Sequence, residues 1–302
     1  MQNIRKKYNI DKIHQRGITG KGITVAVLDT GIYPHMDFGT RITCFYDCIK
    51  KRIQMYDDNS HGTHVCGIIG GSGRLSHGLY KGIAPECNII PIKVLDKNGI
   101  GSSDAMIHGI EWILKNHKKY HIKIVNISVG TKSSSCADEH SELIYAVEEM
   151  WQQGITVIAS AGNNGPDYHT ITIPGISSKI ITVGASQIMK SLDAHGNMNY
   201  SYSGKGPTHC NNPKPDITAP GSNIISCHFY GNSYTAKSGT SMSTPIVSGA
   251  AALAFSYNPE LTNEIFKEKL CISAKDMGFD RYTQGCGEMD INKLLLLIKP
   301  VL

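Results

Sequence analysis

The 302-residue chain has little charge, few aromatic residues and no long apolar run. Apolar runs such as residues 294–298 are far shorter than the roughly 20 residues of a membrane helix, so no membrane partner is predicted. Charged residues make up 18% of the chain, the net charge is +5, and basic clusters are short, so nothing indicates nucleic-acid binding. The 40% hydrophobic content excludes a disordered chain.

The nine cysteines are an odd number, which excludes complete internal pairing. They are scattered through a chain large enough to fold without covalent staples, so we expect reduced thiols in a reducing compartment. Basic residues 5–7 are followed by polar residues where a signal peptide needs an apolar core, so no signal peptide is predicted. Both observations predict a cytoplasmic protein. The cysteines are Cys44, Cys48, Cys66, Cys87, Cys136, Cys210, Cys227, Cys271 and Cys286.

Nearly continuous apolar runs alternate with amphipathic stretches along the chain. The runs predict buried strands at 23–28, 89–95, 122–128, 155–160 and 180–185. Helical spacing predicts helices at 103–115, 141–153, 243–257, 262–273 and 291–298. No linker, repeat or low-complexity tract interrupts this order. We therefore predict one α/β domain over residues 1–302, with a mostly parallel central sheet flanked by helices.

Three short segments carry residues suited to nucleophilic catalysis. Asp29 lies at the end of the first predicted strand, in the sequence VLDTG. His61 lies in NSHGTHV, and Ser241 lies in SGTSMSTP just before a predicted helix. Taken singly, each has an ordinary explanation: a capping carboxylate, a structural histidine or a helix start.

Taken together, the three segments closely resemble the subtilisin-like serine proteases (subtilases, peptidase S8), in which the order is Asp, His, Ser. Further matching segments are 82–85 (GIAP), 126–130 (NISVG), 160–165 (SAGNNG) and 215–221 (PDITAPG). The resemblance runs from about residue 20 to about residue 287 and looks most like an intracellular bacterial type. It implies a three-layer subtilisin-like fold. It also implies a serine endopeptidase that cleaves peptide bonds through an acyl-enzyme intermediate.

The resemblance assigns a role to each of four residues. Ser241 is the expected nucleophile, and His61 is the base that takes its proton and later protonates the leaving amine. Asp29 is expected to hold the imidazole tautomer and stabilise the imidazolium. Asn163 is expected to donate a side-chain N–H to the oxyanion, together with the backbone N–H of Ser241.

The resemblance also implies that the substrate binds as an added β-strand between two edges of the protein. One edge includes the segment 98–101, whose Asn-Gly pair is also explained by a plain turn. The implied substrate-binding residues are Gly99, Ile100, Gly101, Ser128, Val129, Gly130, Ser160, Ala161 and Gly162. None of them is acidic, which predicts an apolar or broad preference at the residue before the scissile bond.

His64 and Cys66 raise the alternative of a metal or redox role beside His61. A zinc site built on them lacks a second ligand pair, so no metal site is predicted and His64 is expected to be structural. Cys66 is expected to be a packing residue, the alternative being a thiol through which heavy metals or oxidants disturb the site. Asp37 and Asp216 fall where some relatives bind calcium, but calcium needs six to eight oxygens. A structural calcium is left open, and no cofactor is expected for the chemistry.

Two further hypotheses concern how activity is regulated and whether the protein is catalytically active at all. Residues 1–19 form an N-terminal arm, and its basic residues 5–7 suggest an inhibitory segment. The alternative to a protease acting on polypeptides is a catalytically silent pseudoprotease that serves as a scaffold or regulator. The presence of all four expected catalytic residues favours the enzyme. A nucleotide-binding protein is excluded, because no Gly-rich phosphate loop follows the first strand.

Overall fold

The computed structural model describes residues 1–186, 191–192, 198–199 and 202–300. Its strands are β1 (Thr24–Asp29), β2 (Tyr46–Asp47), β3 (Asn88–Lys93), β4 (Ile122–Ile127), β5 (Thr131–Lys132), β6 (Thr156–Ser160), β7 (Thr172–Ile173), β8 (Ile181–Ala185), β9 (Ser191–Leu192), β10 (Met198–Asn199), β11 (Ile217–Ala219), β12 (Ile224–Cys227) and β13 (Tyr234–Lys237). Its α-helices are α1 (Gln2–Lys7), α2 (Ile10–Gln15), α3 (His61–Gly70), α4 (Ser103–Tyr120), α5 (Glu142–Gln152), α6 (Thr240–Tyr257), α7 (Asn263–Ser273), α8 (Arg281–Gln284) and α9 (Ile291–Leu297), and Cys136–His140 is a 3₁₀ turn.

A seven-stranded sheet in the order β11-β8-β6-β4-β1-β3-β2 forms the centre of the molecule. Every neighbouring pair in it is parallel. The five predicted strands are all present, with bounds within two residues of those expected. Every residue of β1 is buried, since helices cover both faces of a parallel sheet and leave no polar side. The edge strands β2 and β11, of two and three residues, were too short to be read from the sequence.

Helices pack on both faces of this sheet. α3 and α6 contact each other and one face, whereas α4 and α5 contact each other and the opposite face. The prediction of a mostly parallel sheet flanked by helices is confirmed. Thr262 caps α7 as expected, because its hydroxyl accepts a hydrogen bond from the backbone N–H of Ile265. Among the helices that the structure describes, none has both the length and the apolarity needed to cross a membrane.

The main hydrophobic core includes the N-terminal arm. One cluster of buried side chains extends from Met1 to Ile298. Ile4, Ile10 and Ile13 of α1 and α2 belong to it. The single domain over residues 1–302 stays a prediction, favoured by this continuous core.

Four of the nine cysteines form disulfides in the structure. Cys136 pairs with Cys210 and Cys271 pairs with Cys286. The Cα atoms of the two pairs are 5.0 and 5.2 Å apart, within the range that a disulfide spans. In the structure these four cysteines are paired, against the expectation that all nine thiols are reduced. Cys136 and Cys210 are 74 residues apart in the sequence, and Cys271 and Cys286 are 15 apart. The remaining five cysteines are free thiols.

Candidate active site

Asp29, His61 and Ser241 meet at the carboxyl end of the central sheet. Asp29 is the last residue of β1, His61 is the first residue of α3, and Ser241 is the second residue of α6. Ligand sites in open parallel sheets form at this edge, because loops and helix starts converge there. The fold thus brings together three segments that are far apart in the chain.

The carboxylate of Asp29 fixes the imidazole of His61. The Nδ1–H of His61 donates to the two carboxylate oxygens, at 2.7 and 2.9 Å. Asp29 is 1% exposed and His61 is 22% exposed. Burial alone would lower the pKa of His61, but the charge and hydrogen bond of Asp29 outweigh burial and raise that pKa above 6.5. With Nδ1 protonated, Nε2 is left to accept a proton.

The start of α3 is held by Asp57, a residue that the sequence analysis missed. Its carboxylate accepts hydrogen bonds from the backbone N–H groups of Ser60 and Thr63 and from the Thr63 hydroxyl, at 2.6–2.9 Å. The hydroxyl of Thr30 also donates to it at 2.9 Å. Burial opposes ionisation of Asp57, yet these hydrogen bonds lower its pKa below the ordinary value. Because Thr30 directly follows Asp29, this network sets the position of His61 relative to Asp29.

The hydroxyl of Ser241 donates to the carbonyl oxygen of Ser128 at 2.7 Å. Within the described residues, no hydrogen bond joins Ser241 to His61. Ser128 is held in turn, since Asn126 Nδ2 donates to its hydroxyl and Ser248 of α6 donates to Asn126 Oδ1, both at 2.8 Å. Catalytic hydrogen bonds commonly form fully only when substrate binds. The hydroxyl of Ser241 therefore contacts the residue that directly follows β4.

Thr240 orients the side-chain amide of Asn163. The backbone N–H and hydroxyl of Thr240 donate to Asn163 Oδ1 at 2.9 and 3.1 Å. With Oδ1 so engaged, Nδ2 is the group left to donate from Asn163, which lines the same cleft as Ser241. Thr240 was missed, although its place directly before Ser241 was a usable signal.

A cleft of about 430 Å³ surrounds these groups. Of the expected substrate-binding residues, six line it: Gly99, Ser128, Val129, Gly130, Ser160 and Gly162. Three do not: Ile100, Gly101 and Ala161. Ile100 is 67% exposed and Ala161 is fully buried. Among the described residues that line the cleft, none is acidic.

Gly130 and Gly162 leave the space that Thr172 fills. A Cβ on Gly130 would lie 2.6 Å from Thr172 Oγ1, and a Cβ on Gly162 would lie 2.8 Å from the same atom. Gly162 also has φ +92°, a conformation that favours glycine. Thr172 lines the cleft because β7 pairs with β5, a contact that no motif in the sequence announced.

His64 and Cys66 lie in the interior of α3. His64 Nε2–H donates to the carbonyl oxygens of Ile224 and Thr235, at 3.0 and 3.1 Å, which is the structural role expected of it. Burial lowers the pKa of His64 to about 3, so the ring is neutral. Cys66 is fully buried, and burial raises the pKa of its thiol. These properties favour packing over reactivity for Cys66.

The surroundings of Asp216 and Asp37 do not fit calcium. Asp216 binds two lysines, with Lys214 Nζ at 2.6 Å and Lys267 Nζ at 3.3 Å. Asp37 accepts from the Tyr234 hydroxyl at 2.8 Å and faces the thiol of Cys227. Calcium prefers carboxylate, carbonyl and water oxygens, which neither set supplies in number.

The N-terminal arm lies away from the cleft. The amino group of Met1 donates to the carbonyl oxygen of Ile225, and Lys7 pairs with Glu288 at 2.6 Å. Arg5 contacts the carbonyl oxygens of Gly78 and Leu79. None of residues 1–19 lines the cleft. The N-terminal arm therefore does not block the cleft, and the hypothesis of an arm that inhibits by covering the site is wrong for this structure. The arm instead packs against the core.

Residues 20–288 match the model of the Subtilase family, Peptidase_S8. This chain belongs to the subtilase family. The family is one of serine-type peptidases, and the resemblance to subtilases stated from the sequence is confirmed. The subtilase is 44% identical to serine protease AprX of Bacillus subtilis over 270 residues, which cover 84% of this chain and 61% of AprX. It is 35% identical to Subtilisin Savinase of Lederbergia lenta, with 88% of each chain covered.

The fold has solved counterparts. The structure of Sphericase superposes with a TM-score of 0.76 at 29% identity, covering 90% of this chain and 92% of that one. A cold-adapted subtilisin-like serine proteinase superposes with a TM-score of 0.71 at 31% identity. These matches confirm the three-layer subtilisin-like architecture.

Proposed function

We propose that this subtilase is a serine endopeptidase that hydrolyses polypeptides through Asp29, His61 and Ser241. The observation that carries the proposal is the hydrogen bond from His61 Nδ1 to the buried carboxylate of Asp29, at the mouth of a cleft that also holds Ser241. That bond leaves Nε2 unprotonated and oriented by a charge that stabilises the imidazolium. No cofactor is needed for this chemistry.

In the proposed first step, Ser241 Oγ attacks the carbonyl carbon of the peptide bond while His61 Nε2 takes the hydroxyl proton. Negative charge develops on the carbonyl oxygen. This oxygen accepts hydrogen bonds from Asn163 Nδ2–H and from the backbone N–H of Ser241 at the start of α6. His61 then gives its proton to the leaving nitrogen as the C–N bond breaks. Water, deprotonated by His61, hydrolyses the acyl-enzyme and returns Ser241 to its hydroxyl form.

Substrate specificity follows from the walls of the cleft. The proposed edges for an extended substrate are residues 98–101 and 128–130. Ser128, Gly130 and Gly162 contribute no charge to the pocket. We therefore propose an apolar or broad preference at the residue before the scissile bond.

Labelling with a fluorophosphonate probe tests the activity directly. The probe phosphonylates an activated serine hydroxyl, so we expect stoichiometric labelling of the native chain, no labelling of Ser241→Ala, and strongly reduced labelling of His61→Ala. Ser243→Ala is a matched control, because Ser243 lies on the same helix but is fully buried and donates to the carbonyl oxygen of Ala219. An unlabelled native chain would favour the pseudoprotease instead.

The redox state of four cysteines indicates the compartment in which the protein resides. The cytoplasmic location predicted from the sequence requires the pairs Cys136–Cys210 and Cys271–Cys286 to be reduced, whereas disulfides are typical of oxidising compartments. A thiol count on protein denatured directly from the source cells distinguishes the two. Nine titratable thiols support the cytoplasm, and five support an oxidising compartment.

A further inference from the structure

A buried lysine lies beside Asp29. Among the described residues, two lysines are at most 1% exposed, Lys93 and Lys214. Lys93 is the last residue of β3, and its Cα pairs with that of Asp29 at the end of β1. Burial of an ammonium group is costly unless acceptors replace the water it loses. Lys93 itself does not line the cleft, so its charge is not placed there to meet substrate.

The ammonium group of Lys93 joins two segments of the active site. Its Nζ donates to the carbonyl oxygen of Thr30 and to Oδ1 of Asp58, both at 2.6 Å. Thr30 directly follows Asp29, and Asp58 lies three residues before His61. Lys93 therefore connects the segment that carries Asp29 to the loop that leads into α3.

Thr30 passes this restraint on to the carboxylate of Asp29. The backbone N–H of Thr30 donates to Asp29 Oδ1 at 2.7 Å, and the same oxygen accepts from His61 Nδ1 at 2.7 Å. The hydroxyl of Thr30 accepts from the backbone N–H of Gly62, the second residue of α3, at 2.9 Å. The carbonyl oxygen of Thr30 is the group that Lys93 holds. A shift of Thr30 would therefore move the carboxylate relative to the imidazole.

The backbone beside Lys93 leaves little room for such a shift to be absorbed. Gly31 has φ +110°, a conformation that favours glycine. A Cβ on Gly31 would collide with the carbonyl oxygen of Tyr56 and would lie 3.5 Å from Cδ of Lys93. The hydrocarbon stem of Lys93 therefore packs beside the turn that follows Asp29.

We propose that Lys93 is a positioning residue that fixes the carboxylate of Asp29 against the imidazole of His61 by holding Thr30 and Asp58 together, a role that rests on the proposed serine-protease function. Misplacement of a reacting group by about 1 Å can cost about 100-fold in rate, so a restraint outside the cleft can matter for catalysis. The sequence places Lys93 in the predicted strand 89–95, but its two partners come from distant segments.

Lys214 provides a matched control. Its Nζ donates to the carbonyl oxygen of Ile180 at 2.9 Å and to Asp216 Oδ2 at 2.6 Å. Lys214 thus has the same kinds of partners as Lys93, one backbone carbonyl and one carboxylate. None of these three residues lines the cleft. Lys93→Met and Lys214→Met therefore lose stability for the same reason, and a difference in catalysis between them reports on the position of Lys93.

Steady-state kinetics, measured below the Tm of both variants, test the proposal in the active chain. We expect Lys93→Met to lower kcat about 10- to 100-fold relative to Lys214→Met, with little change in KM, because misalignment acts on the transition state. Asp58→Ala frees the other end of the connection at a side chain that is 28% exposed, and it decides the matter if Lys93→Met does not fold. It should also lower kcat. Equal kcat in Lys93→Met and Lys214→Met, or an unchanged kcat in Asp58→Ala, overturns the proposal.

The pKa of His61 separates positioning from a simple effect of charge. Burial and the charge of Lys237 lower this pKa, whereas Asp29 and Asp57 raise it. Loss of the positive charge of Lys93 would by itself raise the pKa of His61. A loosened hydrogen bond to Asp29 would lower it. The sign of the change therefore distinguishes the two effects.

An NMR titration of the His61 ring measures this pKa without turnover, in chains that carry Ser241→Ala to prevent self-digestion. We expect a lower pKa in Lys93→Met than in the parent, and no change in Lys214→Met. An unchanged or raised pKa in Lys93→Met overturns the positioning role. If the native chain hydrolyses no peptide, the proposed function fails, but the titration still decides whether Lys93 holds Asp29 against His61.

Discussion

The hydroxyl of Ser241 donates to the carbonyl oxygen of Ser128, 2.7 Å away, and forms no hydrogen bond to His61. Ser128 belongs to the proposed substrate edge, where an extended peptide would donate its backbone N–H to the same oxygen. In the proposed complex, the substrate N–H and the hydroxyl of Ser241 would therefore compete for the carbonyl oxygen of Ser128. Binding of the substrate strand would displace the hydroxyl of Ser241 and make it available to Nε2 of His61.

This competition predicts that kcat/KM depends on the backbone N–H that the substrate would donate to Ser128. Replacing the amide N–H of the residue before the scissile bond by an ester oxygen should lower kcat/KM about tenfold, the value of one lost hydrogen bond. The same replacement at a residue remote from Ser128 serves as the control and should change kcat/KM much less. Steady-state assays of the two ester peptides against the parent peptide decide the matter, and equal values for all three would contradict the displacement.

Asn163→Ala is expected to lower kcat by about 10²–10³-fold with little change in KM. The reason is that Asn163 Nδ2 would meet negative charge only as it develops on the carbonyl oxygen, so the loss falls on the transition state. Steady-state kinetics with one peptide measure both constants. A rise in KM at constant kcat would show instead that Asn163 binds the ground state.

Thr240 is expected to act through Asn163 as a positioning residue. Thr240→Val removes the hydroxyl that donates to Asn163 Oδ1. This change should lower kcat about tenfold and should raise KM by less. Thr240→Ser keeps the hydroxyl and should recover most of the rate. In an Asn163→Ala background, the Thr240→Val change should have no further effect on kcat; an undiminished second loss would contradict the coupling.

The pH profile should follow the pKa of His61. In the proposed mechanism the neutral imidazole of His61 is the base. Because the pKa of His61 is raised above 6.5, kcat/KM should rise with pH through a midpoint above that value. The charge of Lys237 lowers that pKa, so Lys237→Gln should move the midpoint to higher pH. Lys21→Gln removes the same charge from an exposed residue before the amino end of β1 and should leave the midpoint in place. A shift to lower pH in Lys237→Gln would contradict the electrostatic assignment.

Much of the scaffold was readable from the sequence because its signals are local. The apolar run of β1 and the Asp29 that ends it are contiguous, and Thr262 caps the helix it precedes. What was missed depends on contacts between distant segments. Thr172 reaches the cleft through the pairing of β7 with β5, and Cys136 meets Cys210 only in the folded chain.

The walls of the cleft predict the selectivity. With no acidic residue among the described lining residues, a substrate with Lys or Arg before the scissile bond has no countercharge there, whereas Phe or Leu buries apolar area. We expect kcat/KM for Phe or Leu peptides to equal or exceed that for Lys or Arg peptides of the same length. A panel of four such peptides measures this, and a strong preference for Lys or Arg would overturn it.

The buried His64 predicts how stability depends on pH. Burial, with the charges of Lys237 and His61, lowers its folded pKa to about 3, from 6.5. Below pH 6.5 the unfolded chain takes up a proton that folded His64 does not, so its contribution to stability is complete above 6.5 and is lost as pH falls toward 3. The loss is about 1.4 kcal/mol per pH unit, or about 2 kcal/mol by pH 5. In a Ser241→Ala background, urea unfolding of His64→Gln should show a flatter decline between about pH 7 and pH 5 than the parent, because glutamine does not titrate. Parallel declines in the two proteins would show that His64 is not held neutral in the folded chain.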